Sequence, residues 1–103
     1  MYTVENFLMG QWVKGEGDGQ LLYNAVTGEP IANATSKGLD FSAALHYARS
    51  KGNPALRKMS FHERGLMLRA LAIYLRDHLD ELYAISYQTG ATKADSWVDI
   101  EGG

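Results

Sequence analysis

The pattern of apolar and polar positions changes period near residue 36. Before it, apolar residues come in short runs broken by glycine; after it, they recur every three or four positions. Phe7-Leu8-Met9 and Gln11-Trp12-Val13 flank Gly10, which predicts a tight hairpin, because glycine supplies the positive φ that such turns need. Leu21 to Asn24 and Pro30 to Thr35 make a second extended pair, joined through Ala25-Val26-Thr27-Gly28-Glu29 with Thr27-Gly28 as the turn signal. A small antiparallel sheet is therefore expected over the first third. From Ser36 or Asp40 a helix is expected, with Phe41, Ala44, Leu45 and Ala48 on one face. Gly52 should close it after Lys51, and Asn53-Pro54 should enforce a break.

Ser60 to Gly90 is the longest periodic stretch. Ser60 and Glu63 have the spacing of a capping box, so a helix should start there. Phe61, Leu68, Leu71, Ala72, Leu75 and Leu79 fall on one helical face, and Leu66, Ala70 and Ile73 form a second apolar stripe, with His62, Arg69 and Arg76 between them. One stripe suits a surface helix; two predict a helix sandwiched between layers. The pattern restarts at Leu79, Leu82, Tyr83 and Ser86 and stops at Gly90, a C′ residue. A last helix opens with Thr92 and Asp95 at capping spacing and presents Ala94, Trp97 and Val98 before Glu101-Gly102-Gly103, where it looks cut short, as by truncation of a longer chain. The predicted fold class is α+β, with hairpins over 1–35 and a layer of about three to four helices over 36–103.

Composition narrows the functional classes. With 46% hydrophobic and 21% charged residues the chain reads as globular. The net charge of -2 gives no basic footprint, so nucleic acid and anionic membrane are not expected partners. There is no cysteine, which removes disulfides, thiolate metal sites and a cysteine nucleophile from these residues. MYTVENFL lacks the character of a secretory signal and Ala70 to Leu75 is too short to span a bilayer, so a cytoplasmic location is the expectation. Asn33-Ala34-Thr35 fits a glycosylation sequon by chance.

Candidate chemistry is sparse. His46, His62 and His78 fall on different elements and lack the short spacing that builds a metal site from one helix. Asp77, Asp80 and Glu81 read as a solvated face with an i,i+4 pair from Arg76 to Asp80. Tyr74, Tyr83 and Tyr87 have no identifiable partner to lower a phenol pKa, and read as packing residues. Gly15 to Gly19, GEGDG, reads as a flexible surface connection: a phosphate cradle would need glycine at Gln20 and a following helix. The terminal Gly102-Gly103 matches the diglycine of ubiquitin-like carriers, but the residues before it read as helix, not strand. No catalytic, cofactor-binding or metal-ligating residue is assigned.

Four stretches, in order, resemble the amino-terminal segment of the NAD(P)-dependent aldehyde dehydrogenase superfamily. Met9-Gly10-Gln11-Trp12-Val13 resembles its opening hairpin, and Asn24-Ala25-Val26-Thr27-Gly28-Glu29-Pro30-Ile31 its N-P-A-T-G-E-x-I turn. Phe61-His62-Glu63-Arg64 into Leu75 resembles its P-x-E-R helix, and Gln88-Thr89-Gly90 its E-T-G-K corner. Ala25 stands for the usual proline, Gln88 for glutamate and Ala91 for lysine; the run QTGATKADSWVDIEGG resembles the phenylacetate-degradation branch, in which a hydratase domain often follows.

The resemblance implies that residues 1–103 are the amino-terminal portion of the cofactor-binding half of an α/β enzyme that oxidises an aldehyde, in that branch a CoA-linked semialdehyde, with NAD or NADP. The cysteine nucleophile, general-base glutamate and oxyanion asparagine of the family mechanism would lie in later sequence. It further implies that the remainder of the enzyme is the partner of this segment, that the parent is a homo-oligomer, and that the segment alone binds no cofactor. The alternative expectation is a stand-alone helical interaction module whose Leu66, Ala70 and Ile73 stripe docks a partner helix.

Overall fold

Five short strands precede five α-helices in a computed structural model that describes residues 1–103. The strands are β1 (Tyr2–Val4), β2 (Asn6–Leu8), β3 (Gln11–Val13), β4 (Gln20–Tyr23) and β5 (Pro30–Ala34). The helices are α1 (Phe41–Tyr47), α2 (Asn53–Lys58), α3 (Phe61–Arg76), α4 (Leu79–Gln88) and α5 (Lys93–Ile100). The chain divides into two compact units. One holds Met1–Leu22 with Pro30–Ser60, the other Tyr23–Glu29 with Phe61–Gly103.

In the first unit, β2 and β3 form the expected antiparallel hairpin, with Phe7 opposite Trp12 and their rings edge to face at 5.0 Å. Met9 and Gly10 both take positive φ, 51° and 78°, as a two-residue type I′ turn requires. Met9 is thus a turn residue and not the end of a strand. The other sheet has the order β1-β5-β4, and β1 runs parallel to β5, with Tyr2, Thr3 and Val4 opposite Ala32, Asn33 and Ala34. This corrects the all-antiparallel expectation. Three residues of β1 are too few to show a period, and their partner lies thirty positions away. Ala32, on the middle strand, is the one fully buried apolar residue.

Side-chain amides and close backbone packing hold this unit where apolar burial is slight. Asn6 Nδ2 donates to the carbonyls of Val13 (3.3 Å) and Thr35 (3.0 Å), tying the hairpin to the end of β5. Asn33 accepts from the Thr3 hydroxyl at 2.9 Å and donates to the Asp18 carbonyl at 2.9 Å, so the sequon asparagine is part of the sheet's bonding. The Gly15–Gly19 segment is not a loose connection. The Glu16 N–H donates to Lys37 O at 2.9 Å and the Thr35 hydroxyl to Glu16 O at 3.0 Å. A Cβ on Gly19 would lie 2.2 Å from Ala34 O, and one on Gly15 2.3 Å from Thr35 O. Glycine there serves close backbone approach, which composition alone does not distinguish from flexibility.

Asp40 caps α1, accepting the Ala43 N–H at 2.9 Å. The expected break at Gly52 and Asn53-Pro54 is absent. Residues Ala48–Gly52 form a π turn, Gly52 (φ -67°) and Asn53 (φ -59°) stay right-handed helical, and the Asn53 N–H reaches back five residues to Ala48 O. The π turn immediately precedes Pro54, which sits in the first turn of α2, the part of a helix that tolerates proline best. The helical path ends instead at Met59, which is extended (φ -83°, ψ 140°).

In the second unit, Asn24 Oδ1 accepts the N–H groups of Val26 (2.8 Å) and Thr27 (3.2 Å), and Gly28 closes the turn at φ 75°. The Ala25 N–H donates to Gln88 O at 2.8 Å, giving a carbonyl at the end of α4 its partner. Gly90 (φ 86°) is the expected C′ residue, and Thr92 caps α5 by accepting the Asp95 N–H at 3.2 Å. α4 and α5 pack on each other through the hydroxyls of Ser86 and fully buried Ser96, 2.8 Å apart. At the far end of α5 the Tyr83 hydroxyl donates to Glu101 Oε2. That hydrogen bond to the carboxylate, with desolvation behind it, pushes the Tyr83 pKa up to about 12.

Two measurements check these arrangements. In urea denaturation Gly19→Ala should lose about 2–3 kcal/mol, because the added Cβ meets a carbonyl and φ is positive; Gly17→Ala, equally positive in φ but in open space, should lose only about 1 kcal/mol. In ultraviolet titration one tyrosine should ionise near pH 12, and Glu101→Gln should bring it back toward 10. Because the folded pKa is the raised one, this contact's stabilisation is complete below pH 10 and lost as pH climbs through about 12.

Candidate functional site

α3 begins at Phe61, directly after Ser60, with Glu63 in its first turn. Neither Ser60 nor Glu63 lacks a partner. Projected down the axis, Tyr74, Met67, Leu71, Leu75, Leu68, Phe61 and Ala72 form one broad apolar arc, and Leu66, Ala70 and Ile73 a narrower stripe on the far side. The expectation was a helix sandwiched between layers, and the structure shows otherwise. α3 has no buried residue, and within its own unit no helix packs closely along it. Phe61 is 88% exposed, Leu68 60% and Leu71 52%. The one charge within the arc, Arg64, stacks over the Phe61 ring at 4.7 Å. Arg69, Arg76 and His62 point elsewhere on the wheel.

Sixteen residues form α3, near the length below which a helix is marginal in water without tertiary cover. An uncovered face of this kind is what an interaction surface looks like before its partner is in place.

The titratable candidates do not converge on a site. His46 lies in the last turn of α1 and His62 in the first turn of α3. His78 sits between α3 and α4, its Nδ1 bonded to Tyr74 O at 2.7 Å and its ring stacked on Tyr74 at 4.2 Å. Its Nδ1 therefore carries the proton and serves the helix end. No three His, Asp or Glu side chains are gathered as metal ligands. Asp77, Asp80 and Glu81 line a shallow cavity of about 380 Å³ with Arg76, but Arg76 and Asp80 do not form the expected i,i+4 pair. α3 ends at Arg76 and α4 starts at Leu79, so the spacing crosses a helix break. Tyr83 is held protonated, opposite to what a catalytic base needs, and Tyr87 lies beside it at 6.0 Å between rings.

The Gly15–Gly19 segment bonds back to Lys37 and Thr35 and leads into β4, so it offers no helix N-terminus to a pyrophosphate. An apolar groove of about 310 Å³ lies along Ala72, Leu75, Leu79 and Ile100, open at the surface of the second unit. No helix is long and apolar enough to cross a membrane.

The four stretches singled out by sequence prove to be conformational devices: the β2–β3 turn, the Asn24 turn, α3, and the α4 C-terminus. Sequence reasoning missed that the second and fourth meet, through the Ala25 N–H and Gln88 O. Nothing in their spacing, 63 positions apart, signals it.

Comparison with known proteins agrees with these motifs. The sequence pattern of the aldehyde dehydrogenase family matches residues 12–103. The chain is also similar to the 3,4-dehydroadipyl-CoA semialdehyde dehydrogenase of Aromatoleum evansii, 38% identical over 98 residues that make up 94% of this chain and 19% of that enzyme. It thus spans about a fifth of the length of the curated relative it matches. With this match over nearly all of its length, the chain belongs to the aldehyde dehydrogenase family.

Proposed function

We propose that residues 1–103 are the amino-terminal portion of the cofactor-binding half of a cytoplasmic, homo-oligomeric aldehyde dehydrogenase. That enzyme would oxidise a CoA-linked semialdehyde, of the kind arising in phenylacetate breakdown, to the acid with NAD or NADP. The observation that carries this is the likeness over nearly the whole chain to an enzyme named for such a semialdehyde. The open face of α3 supports it from physics: a helix apolar on two sides is stable when residues beyond this segment pack on it.

In this reading the segment is a scaffold. It holds no cysteine for a thiohemiacetal, its glycine-rich stretch is spent on backbone packing, and its one strongly shifted phenol is a hydrogen-bond donor. The chemistry belongs to residues elsewhere in the longer polypeptide. The stand-alone interaction module draws on the same exposed helix, but the family membership favours cover by the enzyme's own chain.

A chimaera tests this. Residues 1–103 joined to the remaining four fifths of the relative should give NAD(P) reduction on a CoA-linked semialdehyde, while the 103 residues alone give none. Leu68→Glu with Leu71→Glu in the chimaera should lower soluble active enzyme by about tenfold or more, since each places a charge where apolar cover is needed. Turnover by the isolated 103 residues, or an active chimaera indifferent to both glutamates, would refute the reading.

A further inference from the structure

The glycine-rich stretch Gly15–Gly19 takes no part in the chemistry described above, yet it holds Asp18, the one Asp or Asn of the chain that is followed by glycine. Glycine at that place leaves a backbone nitrogen unshielded by any side chain, one methylene away from a carboxyl group. The Asp18 side chain is exposed. We propose that Asp18 is a site of spontaneous isoaspartate formation, that the folded loop holds this reaction back, and that the product keeps the loop open.

The Gly19 nitrogen attacks Asp18 Cγ. A C–N bond forms, and one carboxyl oxygen leaves as water with the amide proton and a second proton from solvent. The five-membered succinimide then takes up water at the Asp18 main-chain carbonyl, and the original Asp18–Gly19 peptide bond breaks. The chain now runs through the side chain and is longer by one backbone atom. One water leaves and one returns, so the change is an isomerisation that needs no further reactant.

Four contacts oppose the first step. The Asp18–Gly19 peptide must turn its nitrogen toward Cγ, but the carbonyl of that same peptide accepts from Asn33 Nδ2 at 2.9 Å. Gly19 fits closely against the end of β5, where a Cβ would lie 2.2 Å from Ala34 O and 2.7 Å from Thr35 Cβ. Two residues before Asp18, the Glu16 N–H donates to Lys37 O at 2.9 Å, and the Thr35 hydroxyl donates to Glu16 O at 3.0 Å. Reaction therefore waits on local opening of the loop. Its product fits poorly: an extra main-chain atom now lies between the Glu16 bonds and Gly19, beside the crowded Ala34 carbonyl.

The test uses the full-length polypeptide that carries this segment, and its readout is chemical, independent of enzyme activity. Peptide mapping with isoaspartate-specific methylation should find Asp18 isomerising about tenfold or more slowly in buffer than in concentrated urea, since the folded loop is open only a fraction of the time. Asn33→Ala should speed the reaction in buffer about fivefold, the weight of one hydrogen bond, and leave the rate in urea unchanged. Trypsin should cut after Lys14 about tenfold faster in the aged, isomerised fraction than in fresh protein, because cleavage follows the open population. Equal rates in buffer and urea, no isoaspartate at Asp18 in urea, an Asn33→Ala rate equal to the unchanged protein's, or an isomerised fraction as resistant to trypsin as fresh protein would each overturn the proposal. Should Asn33→Ala fail to fold, the buffer-to-urea ratio of the unchanged sequence still decides.

Discussion

The constraint on which the rest of the chain turns is that a sixteen-residue helix cannot be held by its own backbone when most of its side chains prefer to leave water. α3 carries apolar residues on two sides and buries none of them fully. The contrast with its neighbours is instructive. α4 and α5 cover one another and enclose Ser96, whose hydroxyl is satisfied by Ser86 in the same step. α3 has good capping residues and a good stop, yet its apolar side chains stay largely in water.

The first unit compensates for a thin core in a different way. Ala32 alone is fully buried among its apolar residues, so the strands are fixed by polar side chains that reach backbone groups and by glycines that let backbone meet backbone. Asn6, Asn33 and Thr35 each join segments far apart in sequence. The same logic governs the Asn24 turn and its bond to the end of α4. Motifs that identify the family here are thus conformational: they set turn hands, caps and crossings. That is why turns and caps alone can assign a chain to an enzyme family.

Local signals were legible where a single residue's chemistry decides the geometry. The Asp40 and Thr92 caps, the Gly90 stop, the Gly10 hairpin and the Thr27-Gly28 turn all follow from φ preferences or from a side-chain oxygen facing an orphan N–H. The two apolar stripes of α3 were visible too, and so was the inference that something must cover them. The Asn53-Pro54 break was misread because the first turn of a helix tolerates proline, and here a π turn leads straight into it.

What sequence by itself determined is the set of element starts and stops, the absence of a cysteine and the excess of apolar surface on one helix. These depend on neighbours a few positions apart, or on composition. Only tertiary structure decided that β1 runs parallel to β5, that Gly15 and Gly19 clamp a loop instead of loosening it, that Ala25 meets Gln88, and that no residue of α3 is buried. Each of those is a contact, or the lack of one, between residues distant along the chain. Periodicity says which face of a helix must be buried but not against what, because the partner is a property of the fold.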